Sequence, residues 1–117
     1  MRRERLRKLA RFLDKLPKRN FDMGTFGSGH GCGTVACIAG WTPAITKDAK
    51  RHPHNPECVI LKDGSTQPIS TFAANWLDLT DRQANGLFYM EHGWSGLENA
   101  TPKDAAKRIR RMLRTGR

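Results

Sequence analysis

The sequence lacks long apolar segments, paired cysteines and acidic residues in proportion to its basic ones. Its longest apolar stretch, residues 30–41, is far shorter than the roughly 18 residues that a membrane-spanning helix needs. Three cysteines cannot form a complete disulfide set, which favours free thiols in a reducing compartment. The basic N-terminal residues are not followed by an apolar segment, so no secretory signal is predicted. We therefore expect a cytoplasmic protein with no membrane partner.

The length of 117 residues suits one domain with a single modest core. Amphipathic periodicity and helix-start signals recur along the chain, whereas strand-like patterns are confined to one short region. The fold prediction is a mainly α, compact single domain over residues 1–117, with about five helices and a small β-hairpin.

Positive charge is concentrated at the two ends of the chain. The formal net charge is +10, with +7 in residues 1–19, +6 in residues 101–117 and −3 in residues 20–100. This asymmetry predicts a polyanionic partner, which could be nucleic acid, a phosphate-rich nucleotide or an acidic protein. The alternative is a solvated basic face that only improves solubility.

Both ends are predicted to form basic amphipathic helices. Leucines recur at helical spacing over residues 2–16, and Pro17 ends this helix. A second helix follows the start signal Thr101-Pro102 and ends near Gly116. We expect the two helices to lie side by side and to join their outer faces into one patch. The predicted ligand-binding residues of this patch are Arg7, Arg11, Lys15, Arg110, Arg111 and Arg114.

Residues 30–41 are predicted to form a short buried helix around which the rest of the chain packs. Small residues there allow close backbone approach, and Val35, Ile38 and Trp41 supply apolar surface. The helix is expected to start near Cys32 or Thr34 and to continue to about residue 46, with Pro43 either kinking it or opening a second short helix. Residues 47–57 read as an extended connector.

The second half of the chain shows three further local signals. A hairpin is predicted over residues 58–69 around the turn Asp63-Gly64. Ser70 or Thr71 is expected to cap the next helix. Thr80, with Gln83 three residues later, has the form of a capping box for a helix that runs to about residue 89.

Three segments carry a resemblance to known proteins. They are Phe21-Asp22-Met23, the run from Cys32 to Trp41, and the run from Leu79 to Tyr89. Together they resemble a group of small phage and bacterial proteins to which no activity is assigned. The resemblance implies a phage or prophage origin, which would place the protein in the host-cell cytoplasm. A polyanion-binding protein of that origin is expected to act in gene control or counter-defence. The resemblance supplies no catalytic residues.

A cysteine-dependent hydrolase is the first alternative function. The run from Cys32 to Cys37 is similar to the cysteine-bearing helix start of papain-like and bacteriocin-processing peptidases, although the histidine motif of those enzymes is missing. A helix N-terminus would lower the pKa of Cys32, and His92 or His54 could act as its base. The competing interpretation is that Cys32 and Cys37 are small core residues.

Two further interpretations concern a zinc site and an aromatic residue that stacks on a base. Zinc could be held by His30, Cys32, Cys37 and Cys58, with His52 or His54 as substitutes. Helical spacing would point Cys32 and Cys37 in different directions, so no metal and no cofactor is predicted. Trp94, between Gly93 and Ser95, could be exposed and stack on a base, or it could close the core. A protein-interaction module that docks an acidic host protein remains the second alternative function.

Overall fold

The computed structural model describes residues 1–21, 28–30, 33–35, 37–55, 57–88 and 101–116, with side chains for all of these except 28–30 and 33–35. Its four described α-helices are α1 (Arg3–Lys15), α2 (Ile69–Trp76), α3 (Asp81–Phe88) and α4 (Pro102–Thr115). Its described strands are β1 (Ser28–His30), β2 (Gly33–Val35), β3 (Ala49–Arg51), β4 (Cys58–Leu61) and β5 (Thr66–Pro68). Two 3-10 helices span Lys18–Asn20 and Ala39–Ile45. A mainly helical fold was predicted correctly at this level.

The terminal helices α1 and α4 contact each other more extensively along the chain than any other pair of described elements. Leucine side chains of α1 and the apolar stripe of α4 meet in the core, because helical spacing places each set on one face. The fully buried members are Leu6, Leu9, Leu13, Ala105, Ala106 and Ile109. The prediction that the two terminal helices lie side by side is confirmed.

Contacts between α1 and α4 occur in opposite order along the two helices. Arg3, at the start of α1, donates to the carbonyl oxygen of Leu113 near the end of α4, at 2.8 Å. Asp14, at the end of α1, bonds instead to Arg110, one turn earlier in α4. The two basic helices are therefore antiparallel neighbours that share one edge.

The predicted caps of α3 and α4 are present. Thr101 and Asp104 form reciprocal bonds at 3.0 and 3.1 Å, and the C-terminal Gly116 of α4 is left-handed with φ of 76°. Thr80 and Gln83 form the same reciprocal pair at the start of α3. In contrast, the expected cap of α2 is wrong, because α2 begins at Ile69, directly after Pro68, without a side-chain cap.

Replacing Thr101 by alanine is expected to lower the free energy of unfolding by about 1 kcal/mol, since the side chain that accepts from the Asp104 N–H is lost. Urea denaturation followed by circular dichroism would measure the change. Thr71→Ala is the matched control, because Thr71 is exposed within α2 and caps nothing. Equal stability of Thr101→Ala and wild type would show that this cap does not stabilise α4.

The hairpin predicted at residues 58–69 is confirmed and belongs to a three-stranded sheet. Strands β4 and β5 pair antiparallel around a turn in which Gly64 has φ of 87°. Strand β3 pairs with the other edge of β4, with Lys50 opposite Ile60. The extended connector predicted at 47–57 is therefore corrected, since its first half contributes a strand.

The central buried helix predicted over residues 30–41 is wrong in its secondary structure. Gly33–Val35 is strand β2, paired antiparallel with β1, and the helical turns come later as the 3-10 helix Ala39–Ile45. Pro43 accounts for the 3-10 form of the later turns, because it has no N–H to donate to the Ala39 carbonyl as an α-helix requires. The Thr42 hydroxyl donates to that carbonyl instead, at 2.7 Å.

The burial predicted for this region is nevertheless present in the part that the structure describes. Cys37, Ile38 and Ala39 are almost completely buried. Trp41 is half-buried, donates from Nε1 to the carbonyl oxygen of Asn20 at 3.0 Å, and lies beside the ring of Phe12. The segment therefore packs across α1 although it is not an α-helix.

Candidate polyanion-binding surface

The shared edge of α1 and α4 carries a bidentate ion pair. Arg110 donates from Nη1 to Asp14 Oδ1 at 3.2 Å and from Nη2 to Oδ2 of the same carboxylate. The hydrogen bond from Arg110 lowers the pKa of Asp14, against a smaller opposing effect of burial, and the charges of Arg110 and Lys103 add to the lowering. Arg110 is therefore fixed against α1, and its charge is partly neutralised there.

Around this ion pair lie basic side chains that have no acidic partner. Within the described residues, the ion pairs are Met1–Asp78, Arg7–Glu4, Lys62–Asp48 and Arg110–Asp14. The exposed cations of α1 and α4 that take part in none of them include Arg11, Lys15, Lys103, Lys107 and Arg114. We call the set formed by Arg7, Arg11, Lys15, Lys103, Lys107, Arg110 and Arg114 the α1–α4 basic surface.

Arg111, which the sequence grouped with Arg110 and Arg114, is exposed at the border of this surface. Successive residues are about 100° apart around a helix, so Arg110 and Arg111 cannot both face α1. Arg110 reaches Asp14, whereas Arg111 is close enough to Arg108 to lower the pKa of that guanidinium. Because Arg111 also lies about one turn from Lys107 and from Arg114, it stays a predicted ligand on the side of the surface nearer to Arg108.

A groove of about 700 Å³ adjoins α1 on the side opposite α4. Lys8 and Arg11 line it from α1, and Lys47 lines it from the segment that follows the second 3-10 helix. Arg5 forms part of the wall, with its guanidinium 5.0 Å from the ring centroid of Trp76 and a 2.7 Å bond to the Trp76 carbonyl oxygen. Glu4 and Asp48 also line the groove, so its four cations are partly offset by two carboxylates, and Arg11 borders both the groove and the α1–α4 basic surface.

Sequence reasoning missed this groove because Arg5 and Trp76 are far apart in the chain. Trp76 lies at the edge of the core, where it is only 8% exposed. The only local signal was the position of Arg5 at the border of the apolar face of α1, where a long side chain can cover a neighbouring ring.

Lowering the pH is expected to weaken the α1–α4 contact through Asp14. Its folded-state pKa is depressed, so the stabilisation is present above the unfolded pKa and is lost as pH falls through the folded value. Asp14→Asn is therefore expected to lower the free energy of unfolding by at most about 1 kcal/mol at neutral pH, as for other exposed ion pairs. Urea denaturation at neutral and acid pH would show the difference from wild type shrinking in acid. A difference in stability between wild type and Asp14→Asn that stayed constant with pH would contradict a stabilising role of the ionised Asp14 carboxylate.

The cysteine residues give the hydrolase interpretation no structural support. Cys32 and His92 lie outside the described residues. The helix expected to lower the pKa of Cys32 is not formed, since Gly33 begins strand β2. Cys37 is 1% exposed, and burial raises the pKa of its thiol, with weaker opposing backbone hydrogen bonds. Its interpretation as a small core residue is confirmed.

The proposed zinc ligands are only partly described. Cys37 is buried and Cys58 is half-buried, whereas Cys32 and the side chain of His30 lie outside the described part. The described residues contain no group of three or more His, Cys, Asp or Glu side chains that could hold a metal ion. The Nδ1 atom of His52 accepts two backbone N–H bonds within its own turn.

Trp94, the predicted stacking residue, lies outside the described residues. None of the described helices combines the length and apolar character that crossing a membrane requires.

Comparison with protein-family models, with curated proteins and with solved structures finds no match to this chain. The chemistry of the basic surface is therefore the strongest indication of function.

Proposed function

We propose that this protein binds nucleic acid through the α1–α4 basic surface. The observation that carries the proposal is the arrangement of exposed Arg and Lys side chains on two packed helices, most of them without an acidic partner. Because the core fixes α1 against α4, these cations keep their spacing without a ligand. Their binding to a polyanion would release condensed counterions, which is the main sequence-independent source of affinity for nucleic acid.

The length of the surface favours nucleic acid over a single nucleotide. Helix α1 has 13 residues and is therefore about 20 Å long, and its cations continue onto α4. Phosphates follow each other about every 3.4 Å along one strand, so several of them can contact this surface together. A mononucleotide would contact only a few of the cations and would leave the others unneutralised.

The resemblance to small phage and bacterial proteins supports a biological setting for this binding. In the host-cell cytoplasm, a small basic protein of phage origin would bind host or phage nucleic acid in gene control or counter-defence. An acidic host protein that docks on the same surface is the competing partner.

Titration of fluorescently labelled single-stranded and duplex oligonucleotides with the purified protein would test the proposal. Fluorescence anisotropy should report binding that a polyglutamate competitor of equal charge displaces poorly. Polyglutamate should displace the oligonucleotide poorly because the carboxylates of a flexible polypeptide lack the regular spacing of phosphates along a nucleic-acid strand. Displacement by polyglutamate at equal charge concentration would favour the acidic protein partner, and no binding to either oligonucleotide would refute the proposed function.

A further inference from the structure

A second basic site lies on the far side of α4, away from the α1–α4 basic surface. A cleft of about 550 Å³ separates α3 from α4. Arg82 lines it from α3, and Arg108 lines it from α4, with Met112 beside Arg108. One end is closed by Gln83, which donates from Nε2 to the carbonyl oxygen of Gly116 at 2.9 Å.

Arg108 is incompletely bonded in this cleft. Its Nη2 atom makes one long bond of 3.4 Å to the carbonyl oxygen of Gly86, and its Nε atom is buried without a hydrogen-bond partner. A buried donor without an acceptor is unusual in folded proteins and calls for a specific explanation. A guanidinium offers its donors in a planar fork, and an oxyanion can accept from two of them at once.

The cleft also has an excess of positive charge. No Asp or Glu side chain is among its described lining residues, which include two arginines. Burial lowers the pKa of Arg108, and the nearby positive charge of Arg111 lowers it further. An anion in the cleft would compensate both effects.

We propose that the cleft between α3 and α4 binds a phosphate group held by Arg82 and Arg108. Two guanidiniums from different helices match a phosphate, whose tetrahedrally arranged oxygens can accept from both, better than a planar carboxylate. On binding, the guanidinium of Arg108 would turn from Gly86 toward the anion, so that Nε and Nη2 donate together. The volume of the cleft exceeds that of inorganic phosphate and leaves room for the group that carries it.

Thermal denaturation with increasing inorganic phosphate would test the site, with sodium chloride at equal ionic strength as reference. Wild type should gain melting temperature with phosphate beyond the chloride effect, because a ligand that binds the folded state stabilises it. Arg108→Lys keeps the charge but loses the fork, and Arg82→Gln removes the second guanidinium. Each should weaken phosphate binding at least about tenfold.

Arg19→Gln is the matched control, since Arg19 is exposed in the first 3-10 helix and belongs neither to the cleft lining nor to the α1–α4 basic surface. It should bind phosphate as wild type does. If phosphate acted no differently from chloride on wild type, or if Arg82→Gln and Arg108→Lys bound it normally, the proposal would be overturned. Because Arg82 is exposed, Arg82→Gln decides the matter even if Arg108→Lys fails to fold.

The same variants identify the source of the phosphate. If Arg82→Gln weakens binding of inorganic phosphate and of an oligonucleotide, the cleft holds a backbone phosphate of nucleic acid. If it weakens only inorganic phosphate, the cleft holds a small phosphorylated molecule. Phosphate binding in the absence of any oligonucleotide binding would support the cleft while refuting the proposed function of the α1–α4 basic surface.

Discussion

Replacing Arg7, Arg11, Lys15 and Arg114 together by alanine is expected to abolish measurable nucleic-acid binding at moderate salt while leaving the fold intact. Four lost phosphate contacts should reduce the salt slope of the binding constant by about 3 for a single strand and nearly 4 for a duplex. Each site should change stability by no more than about 0.5 kcal/mol, since exposed residues away from special features contribute little. Anisotropy titrations and thermal denaturation would measure the two effects separately.

Asp14→Asn provides a control of opposite sign on the same surface. It removes a negative charge from the centre of the basic surface and frees Arg110 for a phosphate. We therefore expect tighter binding than wild type. Glu57→Gln removes a negative charge just before β4, outside α1 and α4, and should leave affinity unchanged. Equal effects of both substitutions would mean that only net charge matters and that the surface has no defined position.

Leu13→Ala is expected to lower the free energy of unfolding by about 2–5 kcal/mol, because a fully buried leucine leaves a cavity when truncated. The expected loss is a large part of the stability of an average domain. Urea denaturation would measure it, with Lys15→Ala on the exposed face of α1 as the matched control. A loss smaller than about 1 kcal/mol would contradict the packing of α1 in the core.

The terminal helices could be predicted from sequence because their signals are local. Leucine spacing identified the buried face of α1, and Thr101 with Asp104 marked the start of α4. These patterns involve residues within a few positions of one another, so no knowledge of the tertiary fold is needed.

The centre of the chain could not be predicted in the same way. Residues 30–46 contain a run of small and apolar residues that suits a buried helix and a buried strand equally well. Val35 falls in strand β2, and Pro43 limits the following turns to a 3-10 helix. Strand β3 was missed because its pairing with β4 is a long-range contact between Lys50 and Ile60, which a polar local sequence does not indicate.

The candidate surface shows the same division between local and long-range information. The helical positions of Arg7, Arg11 and Lys15 followed from spacing alone. The pair between Asp14 and Arg110 joins residues 96 positions apart and depends on how α1 docks on α4. Sequence reasoning therefore found the cations but could not show which of them already have an acidic partner.

The salt dependence of oligonucleotide binding by the wild-type protein tests the central claim most directly. Affinities measured from about 50 to 200 mM salt should fall linearly on a double-logarithmic plot, with a slope that corresponds to at least four phosphate contacts. A steep linear decrease that becomes shallower in the Arg7, Arg11, Lys15 and Arg114 variant is the result we expect. A flat plot, or one with the same slope in wild type and variant, would contradict nucleic-acid binding by the α1–α4 basic surface.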